Sequence, residues 1–541
     1  MLPNVSMPEA SIPGAVAVRR RGRWVRRAAW WAFVLVWGAT AYWQTHKSLP
    51  PGTQLATPWY LQSPGSLRLL SDVTTTDAYG HPVLNQAIFD RMLALVRGAR
   101  EFIVLDYFLF NDSSTAEQGS ALPLRPLASE LRDALIERRR EVPGLKVLFI
   151  TDPINDSYGA LPSNELAALR AAGIEVAVTD LDRMRDSNFL YSSLWRLGVR
   201  WWDGAAGSGW LPDPLGSQSP PWTLGAWTRL LNFKADHRKV LIADDGRGGL
   251  TGIIASANPH GPSSAHSNLG VELSGAVLEP LLASELAIAR FSGWQGELQR
   301  PPAPASSSAS TAADPPGAPP GAPPTAAPTA GAQPGAQPGA LQPVRVRVLT
   351  EGAIREALIE QLEGAGRGDA IDIATFYLSE RGVIEALIGA ARRGATVRLI
   401  LDPNREAFGR ERNGIPNRPA ASELVAASDG AIRVRWYRTH GEQFHVKLAM
   451  VYGTDRLWAT LGSANFTRRN LDDYNLEANL ALEAARDSPL AQQMLEYFET
   501  LWSNRAPPGT EYTAEVGVYA DASQLHYWAY RIMEATGLST F

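Results

Sequence analysis

The chain has 541 residues, 45% of them hydrophobic and 20% charged, with a formal net charge of −4. That is enough apolar material for more than one core, and too little positive charge for a protein held to polyanions by general electrostatics. There is no cysteine, which excludes disulfides and thiolate chemistry and leaves the compartment open.

From the N-terminus, Arg19, Arg20, Arg21, Arg23, Arg26 and Arg27 precede an uncharged stretch from Ala28 to Trp43. Trp24 and Val25 extend it toward the roughly 20 residues of a membrane span, and Trp30, Trp31 and Trp43 suit the two interfaces. The expectation is a basic cytoplasmic segment over 1–27 and a single transmembrane helix over 28–44. The positive-inside rule then puts the rest of the chain outside the cytoplasm, and Ala39-Thr40-Ala41 offers a signal-peptide cleavage site as the alternative.

Next come an amphipathic helix from Val83 to Arg97, with Leu84, Ile88, Met92 and Leu95 on one face, and an apolar strand within Glu101 to Asp112. A helix from Leu127 to Arg140 and a strand within Leu145 to Asn155 follow. Between Trp195 and Trp227 lie six tryptophans amid Gly and Pro, which either pack over the fold or form an interfacial loop. Pro301 to Pro343 is built almost entirely from Pro, Ala, Gly, Ser, Thr and Gln, a composition that cannot bury a core.

Beyond this linker the order repeats: a helix from Ala353 to Glu363, a strand within Ala370 to Glu380, a helix from Arg381 to Arg393, and a strand within Ala395 to Arg405. Strand, helix, strand implies crossovers and a parallel or mixed sheet. The expected layout is an α/β lobe over 60–298, a disordered linker over 299–343, a second lobe over 344–505 and a tail over 506–541. In the tail Leu525, Trp528, Ile532 and Met533 have helical spacing and suit a helix docked on the second lobe.

The duplication extends to chemistry. His237 and Lys239 sit two apart with Asp244 five residues on, and His445 and Lys447 repeat the pair 208 residues later. Each copy is followed by a Ser-Ala-Asn triplet, Ser256 to Asn258 and Ser463 to Asn465, and then by a glutamate, Glu272 or Glu477. Histidine is a nucleophile and proton carrier near neutral pH, lysine a cation for phosphate oxygens, and strand alternation points both to one face. A lone His-x-Lys is usually a strand histidine beside a surface lysine; two matched copies in matched surroundings make a site.

These residues resemble the phospholipase D superfamily, whose hallmark is a duplicated His-x-Lys-x4-Asp motif with a downstream Gly-Ser-x-Asn. The resemblance implies two α/β sandwich lobes sharing one active site. It also implies a two-step reaction in which one histidine attacks phosphorus and the other protonates the leaving alkoxide. Lys239, Lys447, Asn258 and Asn465 would hold the phosphate oxygens, with Ser256 and Ser463 as weaker candidates. Glu272 and Glu477 are expected to orient each lobe's own histidine, and Asp244 to support the fold. His237 is the expected nucleophile. No metal or cofactor is implied; Asp152-Pro153 and Asp402-Pro403 read as strand-end turns rather than ligands.

Two departures from the family pattern are Ala255 in place of the glycine, expected to narrow the phosphate's approach, and Tyr452 in place of the second aspartate. The substrate expected from the tryptophans and the anchor is membrane phospholipid, with a cardiolipin synthase-like transfer or hydrolysis as the specific reaction and no obligatory protein partner. A nuclease using Arg433, Arg435, Arg438, Arg468 and Arg469 on nucleic acid is the second reading, and a non-catalytic lipid-binding protein the third.

Overall fold

The apolar runs that flank the expected helices are buried, Phe102–Tyr107 throughout and Thr396–Leu401 over its last three residues, as strands covered on both faces must be. The computed structural model describes residues 13–77, 79–112, 124–202, 209–214, 220–298, 343–407, 410–505 and 511–541. Nearly all of the expected linker and parts of the tryptophan-rich stretch lie outside the described residues.

Helix α1 (Pro13–His46) and strand β1 (Tyr60–Gln62) lead into β2 (Leu67–Thr76), β3 (Pro82–Gln86), α2 (Ala87–Gly98), β4 (Phe102–Tyr107), α3 (Leu127–Glu141), β5 (Lys146–Thr151), α4 (Asn164–Ala171) and β6 (Glu175–Val178). The first lobe continues with α5 (Phe189–Leu197), α6 (Leu224–Leu230), β7 (Lys239–Asp244), β8 (Leu250–Ala255), β9 (Asn268–Ser274) and α7 (Leu278–Phe291). The second lobe has β10 (Val344–Thr350), α8 (Gly352–Gly364), β11 (Ala370–Thr375), α9 (Arg381–Arg392), β12 (Thr396–Leu401), a hairpin of β13 (Glu406–Ala407) and β14 (Arg410–Glu411), and α10 (Asn417–Ala427). It closes with β15 (Ile432–Tyr437), β16 (Lys447–Tyr452), β17 (Arg456–Gly462), α11 (Arg468–Leu471), β18 (Ala478–Ala485), α12 (Pro489–Trp502), β19 (Thr513–Glu515) and α13 (Gln524–Thr536).

The sheets display the duplication. The first has the order β3-β2-β9-β8-β7-β4-β5-β6, and within the second the run β10-β18-β17-β16-β11-β12-β15 repeats its last seven strands. β4 and β5 pair parallel, as do β11 and β12, while β7, β8 and β9 pair antiparallel. Both lobes are thus mixed α/β, as the strand-helix-strand pattern requires.

Three boundaries differ from expectation. Val83 and Leu84 lie in β3, paired to β2, and the helix starts only at Ala87, where Asp72 of β2 accepts the Ile88 N–H at 3.0 Å. The edge of the sheet offers those two residues a ladder, which overrides a helical period that runs on through them. β1 pairs with β10 and β19 with β15, so residues 60–62 and part of the tail belong to the second sheet.

The lobes meet through their sheets. Val240, Ile254 and Val271 from the first share one buried apolar cluster with Val446, Met450 and Leu480 from the second. At its polar end the fully buried Arg238 donates to Glu285 at 3.0 Å and to Glu351 of the second lobe at 2.7 Å. Such an interface needs no help from a linker.

No described helix is long and apolar enough to cross a membrane. The segment expected as an anchor is the C-terminal half of α1, where Gly38, Thr40 and several indoles interrupt the aliphatic run, and it includes residues that touch the first lobe. The end of α1 docks on the first lobe: the Trp37 indole donates to the Leu190 carbonyl of α5, and the Asp186 N–H to the Gln44 carbonyl, both at 3.1 Å.

Candidate active site

Both His-x-Lys segments enter their strands at the lobe interface, where each is bridged to the opposite lobe. The His237 N–H donates to the Leu476 carbonyl (2.9 Å) and the Leu476 N–H to Ala235 (3.1 Å). In mirror fashion the His445 N–H donates to Ser267 (2.8 Å) and the Ser267 N–H to Gln443 (3.1 Å). From outside each strand a buried aspartate accepts the N–H before the histidine: Asp152 that of Asp236 and Asp402 that of Phe444, both at 2.7 Å. Burial raises the Asp152 carboxyl well above its usual range and the Asp402 carboxyl to about 7. The strand-end reading of these two residues holds, with the added task of fixing the motif backbone.

The bridges decide which groups orient the histidines. His237 Nδ1 lies 2.9 Å from a Glu477 oxygen and His445 Nδ1 lies 3.3 Å from Asn268 Oδ1. Glu477 follows Leu476 and Asn268 follows Ser267, so the two orienters occupy equivalent positions, and each serves the other lobe's histidine. This corrects the expectation of an orienter within each lobe. It also removes Glu272, which lies four residues past Asn268 and pairs with Arg91 of α2. Sequence reasoning missed Asn268 because it sought a repeated carboxylate; alignment of Ser267-Asn268 with Leu476-Glu477 through the strand register reveals it.

Ser256 and Ser463 do not face the phosphate position. Each is fully buried and donates to its orienter, Ser256 to Asn268 at 3.2 Å and Ser463 to Glu477, while accepting the next strand's N–H at 3.0 and 2.9 Å. Asn470 also donates to Glu477. The Asn268 amide donates to the His266 carbonyl at 3.1 Å, which turns its oxygen toward His445. Both acceptors therefore hold the Nδ1–H tautomer and leave Nε2 free for chemistry.

The lysines and asparagines complete the pocket. Lys239 donates to the His237 carbonyl at 2.6 Å and Lys447 to that of His445 at 2.8 Å; both are buried, with further donors left for an anion. Phe108 and Phe376, at the ends of β4 and β11, lie beside them, each ring 5.4 Å from its lysine and 5.0 or 5.2 Å from its histidine. These aromatic walls were not singled out in the sequence. Asn258 Oδ1 accepts the Leu109 N–H at 3.3 Å, leaving its amide donors free, and Asn465 Oδ1 is buried with no partner among the described residues.

Electrostatics follow from four basic groups with Glu477 as the carboxylate bonded to one of them, and with Asp106, Asp152, Asp236 and Asp402 acting on the lysines from nearby. Burial lowers His237 to about 4 and Lys239 to about 8, with Glu477 opposing both shifts. His445 falls well below its usual range through burial, Lys447, His266, Lys239 and His237, and Lys447 through burial and Lys239. Burial works against the Glu477 charge, yet His237 and Lys239 hold its carboxyl below the ordinary value. The four basic groups disfavour one another's protons, a repulsion that an incoming phosphodiester anion would relieve.

The departures from the motif resolve locally. Asp244 accepts the backbone N–H groups of Arg100, Glu101 and Phe102 at 2.8 to 3.0 Å, the structural role expected of it. In the second lobe Tyr452 donates to Asp372 at 2.8 Å instead. Ala255 does not narrow the phosphate's approach: its methyl lies toward Gly270, where an added Cβ would sit only 2.7 Å away, whereas across from Gly462 stands the larger Asn479. Small and larger residues have exchanged strands.

Residues 358–502 match the family model described as cardiolipin synthase, PLD-like domain. Among solved structures, the phosphatidylserine synthase of Haemophilus influenzae Rd KW20 superposes with a TM-score of 0.50 at 11% identity, covering 90% of this chain and 97% of that one. The phospholipase D family member Nuc from Salmonella typhimurium matches at 23% identity and TM-score 0.24 over 30% of this chain and 95% of its own. Polyphosphate kinase from Porphyromonas gingivalis matches at 11% and 0.41, over 87% and 53%. No curated protein sequence matches. The family match marks residues 358–502 as a phospholipase D-like domain, and the fold of the chain is similar to that of the phosphatidylserine synthase.

Proposed function

We propose that this protein is a metal-independent phosphodiesterase or phosphatidyltransferase that acts on membrane phospholipid through a phosphohistidine on His237. The observation that carries the assignment is the unequal pair of orienters, an anion on His237 and a neutral amide on His445. A histidine that becomes a phosphorylated cation is stabilised by a carboxylate on its Nδ1–H. A histidine that must give up a proton is a better acid without one.

In the first step His237 Nε2 attacks phosphorus, the bond to the leaving oxygen breaks, and that oxygen takes the Nε2 proton of His445. In the second, neutral His445 takes the proton of water or an alcohol, the new P–O bond forms, and the P–N pair returns to His237. Lys239, Lys447, Asn258 and Asn465 hold the equatorial oxygens as charge builds. Because His445 is neutral in the free site, it gains its proton together with the phosphodiester anion.

Phospholipid as substrate is supported by the Phe108 and Phe376 walls and by the exposed Trp201 and Trp210 of the tryptophan-rich stretch; Trp195 and Trp222, in contrast, are core residues. Membrane association through α1, with the lobes outside the cytoplasm, belongs to the same proposal. The nuclease reading is less well supported: Arg435 and Arg438 pair with Glu515 and Glu511, the Arg468 guanidinium lies 3.7 Å from Asp472 and Arg469 is buried, which leaves Arg433 exposed beside Trp502. The test is a chelator-treated assay on phosphatidylglycerol vesicles with products resolved by mass spectrometry. Cardiolipin with glycerol identifies transfer and phosphatidic acid identifies hydrolysis. Cleavage of single-stranded nucleic acid without lipid turnover overturns the proposal, as does binding of lipid without any turnover.

A further inference from the structure

The C-terminal helix has two faces with opposite commitments. Inward, Tyr530 is fully buried with its hydroxyl on Glu423 of α10, and Glu534 accepts the Arg468 N–H at 2.6 Å. Outward, Leu525, Trp528 and Ile532 are 76%, 58% and 57% exposed at spacings that line one stripe. The inner face already holds the helix on the lobe, so the outer stripe serves no folding purpose and costs solubility.

The helix also leads to the catalytic pocket. It ends at Gly537, whose left-handed backbone passes so close to the Ser187 carbonyl that a side chain there would overlap it. Arg469 then holds the Gly537 and Ser539 carbonyls, and Phe541 packs on Tyr377, ring to ring at 6.1 Å. Tyr377 lies 4.0 Å from Phe376, whose ring is 5.2 Å from that of His445. Ser187 introduces α5, on which the end of α1 rests, and Trp201 just beyond α5 is exposed, as are Trp30, Trp31 and Trp43 of α1.

We propose that the outer stripe of α13 is a membrane-docking face that seats the mouth of the active site on the bilayer surface. Its occupant is lipid rather than a protein because α13 ends against Ser187, next to the Asp186 whose N–H is held by Gln44 of α1, the helix that carries the exposed indoles. That helix adds the exposed Arg23, Arg26 and Arg27, and indoles backed by arginines suit the headgroup zone of anionic lipid. The proposal rests on the phospholipid reading only for why the chain that follows this helix packs, through Tyr377 and Phe376, toward His445.

The test uses the absence of native cysteine. Ile532→Cys, with Leu525→Cys as a second site and Gln493→Cys on α12 as control, is labelled in the full-length protein with an environment-sensitive dye, after its melting curve is matched to wild type. On adding phosphatidylglycerol vesicles, the dye at 532 or 525 should brighten severalfold and shift to the blue while that at 493 stays unchanged. Protein that pellets with vesicles without this change, equal change at all three sites, or no binding overturns the docking face. Brightening on self-association without vesicles also overturns it, in favour of a second copy. Insertion at 532 without lipid turnover keeps the face and removes the phospholipid function, so the two failures are distinct.

Discussion

His237 meets Glu477 of the opposite lobe at 2.9 Å, so the histidine proposed as nucleophile in one lobe is oriented by the other lobe's carboxylate. Glu477→Gln keeps the shape and removes the charge. It should lower kcat by about 10³-fold or more with little change in folding, the pattern of a lost histidine orienter. Steady-state kinetics alongside a thermal melt check this, and a loss under about fivefold would show that the contact is only structural.

Asn268 supports the complementary experiment. His445 is faced by Lys447, His266, Lys239 and His237, all of which disfavour its proton, and Asn268 supplies no counter-charge. Asn268→Asp adds one, so the pKa of His445 rises by about 1–3 units. The acid is needed protonated; activity falls as pH rises through its pKa, and the alkaline limb of kcat/KM should therefore move to higher pH. An unmoved limb contradicts the assignment of His445 as the acid.

Ser256 and Ser463 act through the orienters. Ser463→Ala should lower kcat while leaving KM within about twofold, because the serine holds Glu477 and not the substrate. A rise in KM with kcat preserved would restore the phosphate-binding role suggested by the motif.

Arg238 joins the lobes by charge. Arg238→Met leaves Glu285 and Glu351 buried without their cation and should destabilise the fold by about 3–5 kcal/mol. Burial already raises Glu351 to about 7 with Arg238 opposing the shift, so the deficit should shrink as pH falls below 7, where the Glu351 carboxyl can take a proton. Denaturant melts at pH 5 and 8 measure it.

The Ala255 and Gly270 contact makes a compensating pair. Gly270→Ala places a methyl group against that of Ala255 and should cost about 1–3 kcal/mol. Adding Ala255→Gly should recover most of the loss, whereas additive effects would mean that the methyls do not meet.

Legibility in the sequence followed from how local each signal is. The strands and helices around Phe102–Tyr107 and Arg381–Arg392 were readable because burial and period act within one segment, and the His, Lys and Asn residues because the motif repeats them. The start of α2 was misplaced because pairing of Val83 to β2 is a tertiary event. The orienters were half legible: Glu477 could be named, but its partner in the other lobe and the role of Asn268 depend on bridges between residues over 170 positions apart. Ser256 and Ser463 carry a phosphate-site spacing, yet strand geometry turns both hydroxyls inward.

The most direct measurement of the central claim is where the phosphoryl group rests. Full-length His445→Ala protein, mixed with a phosphodiester carrying a nitrophenolate leaving group that needs no acid, should form the intermediate and fail to release it. Alkaline quench and peptide mass spectrometry should then find an acid-labile phosphoryl adduct on the peptide containing His237, absent in His237→Ala. An adduct on His445 in the His237→Ala protein, or turnover in both variants without any adduct, would contradict a phosphohistidine on His237.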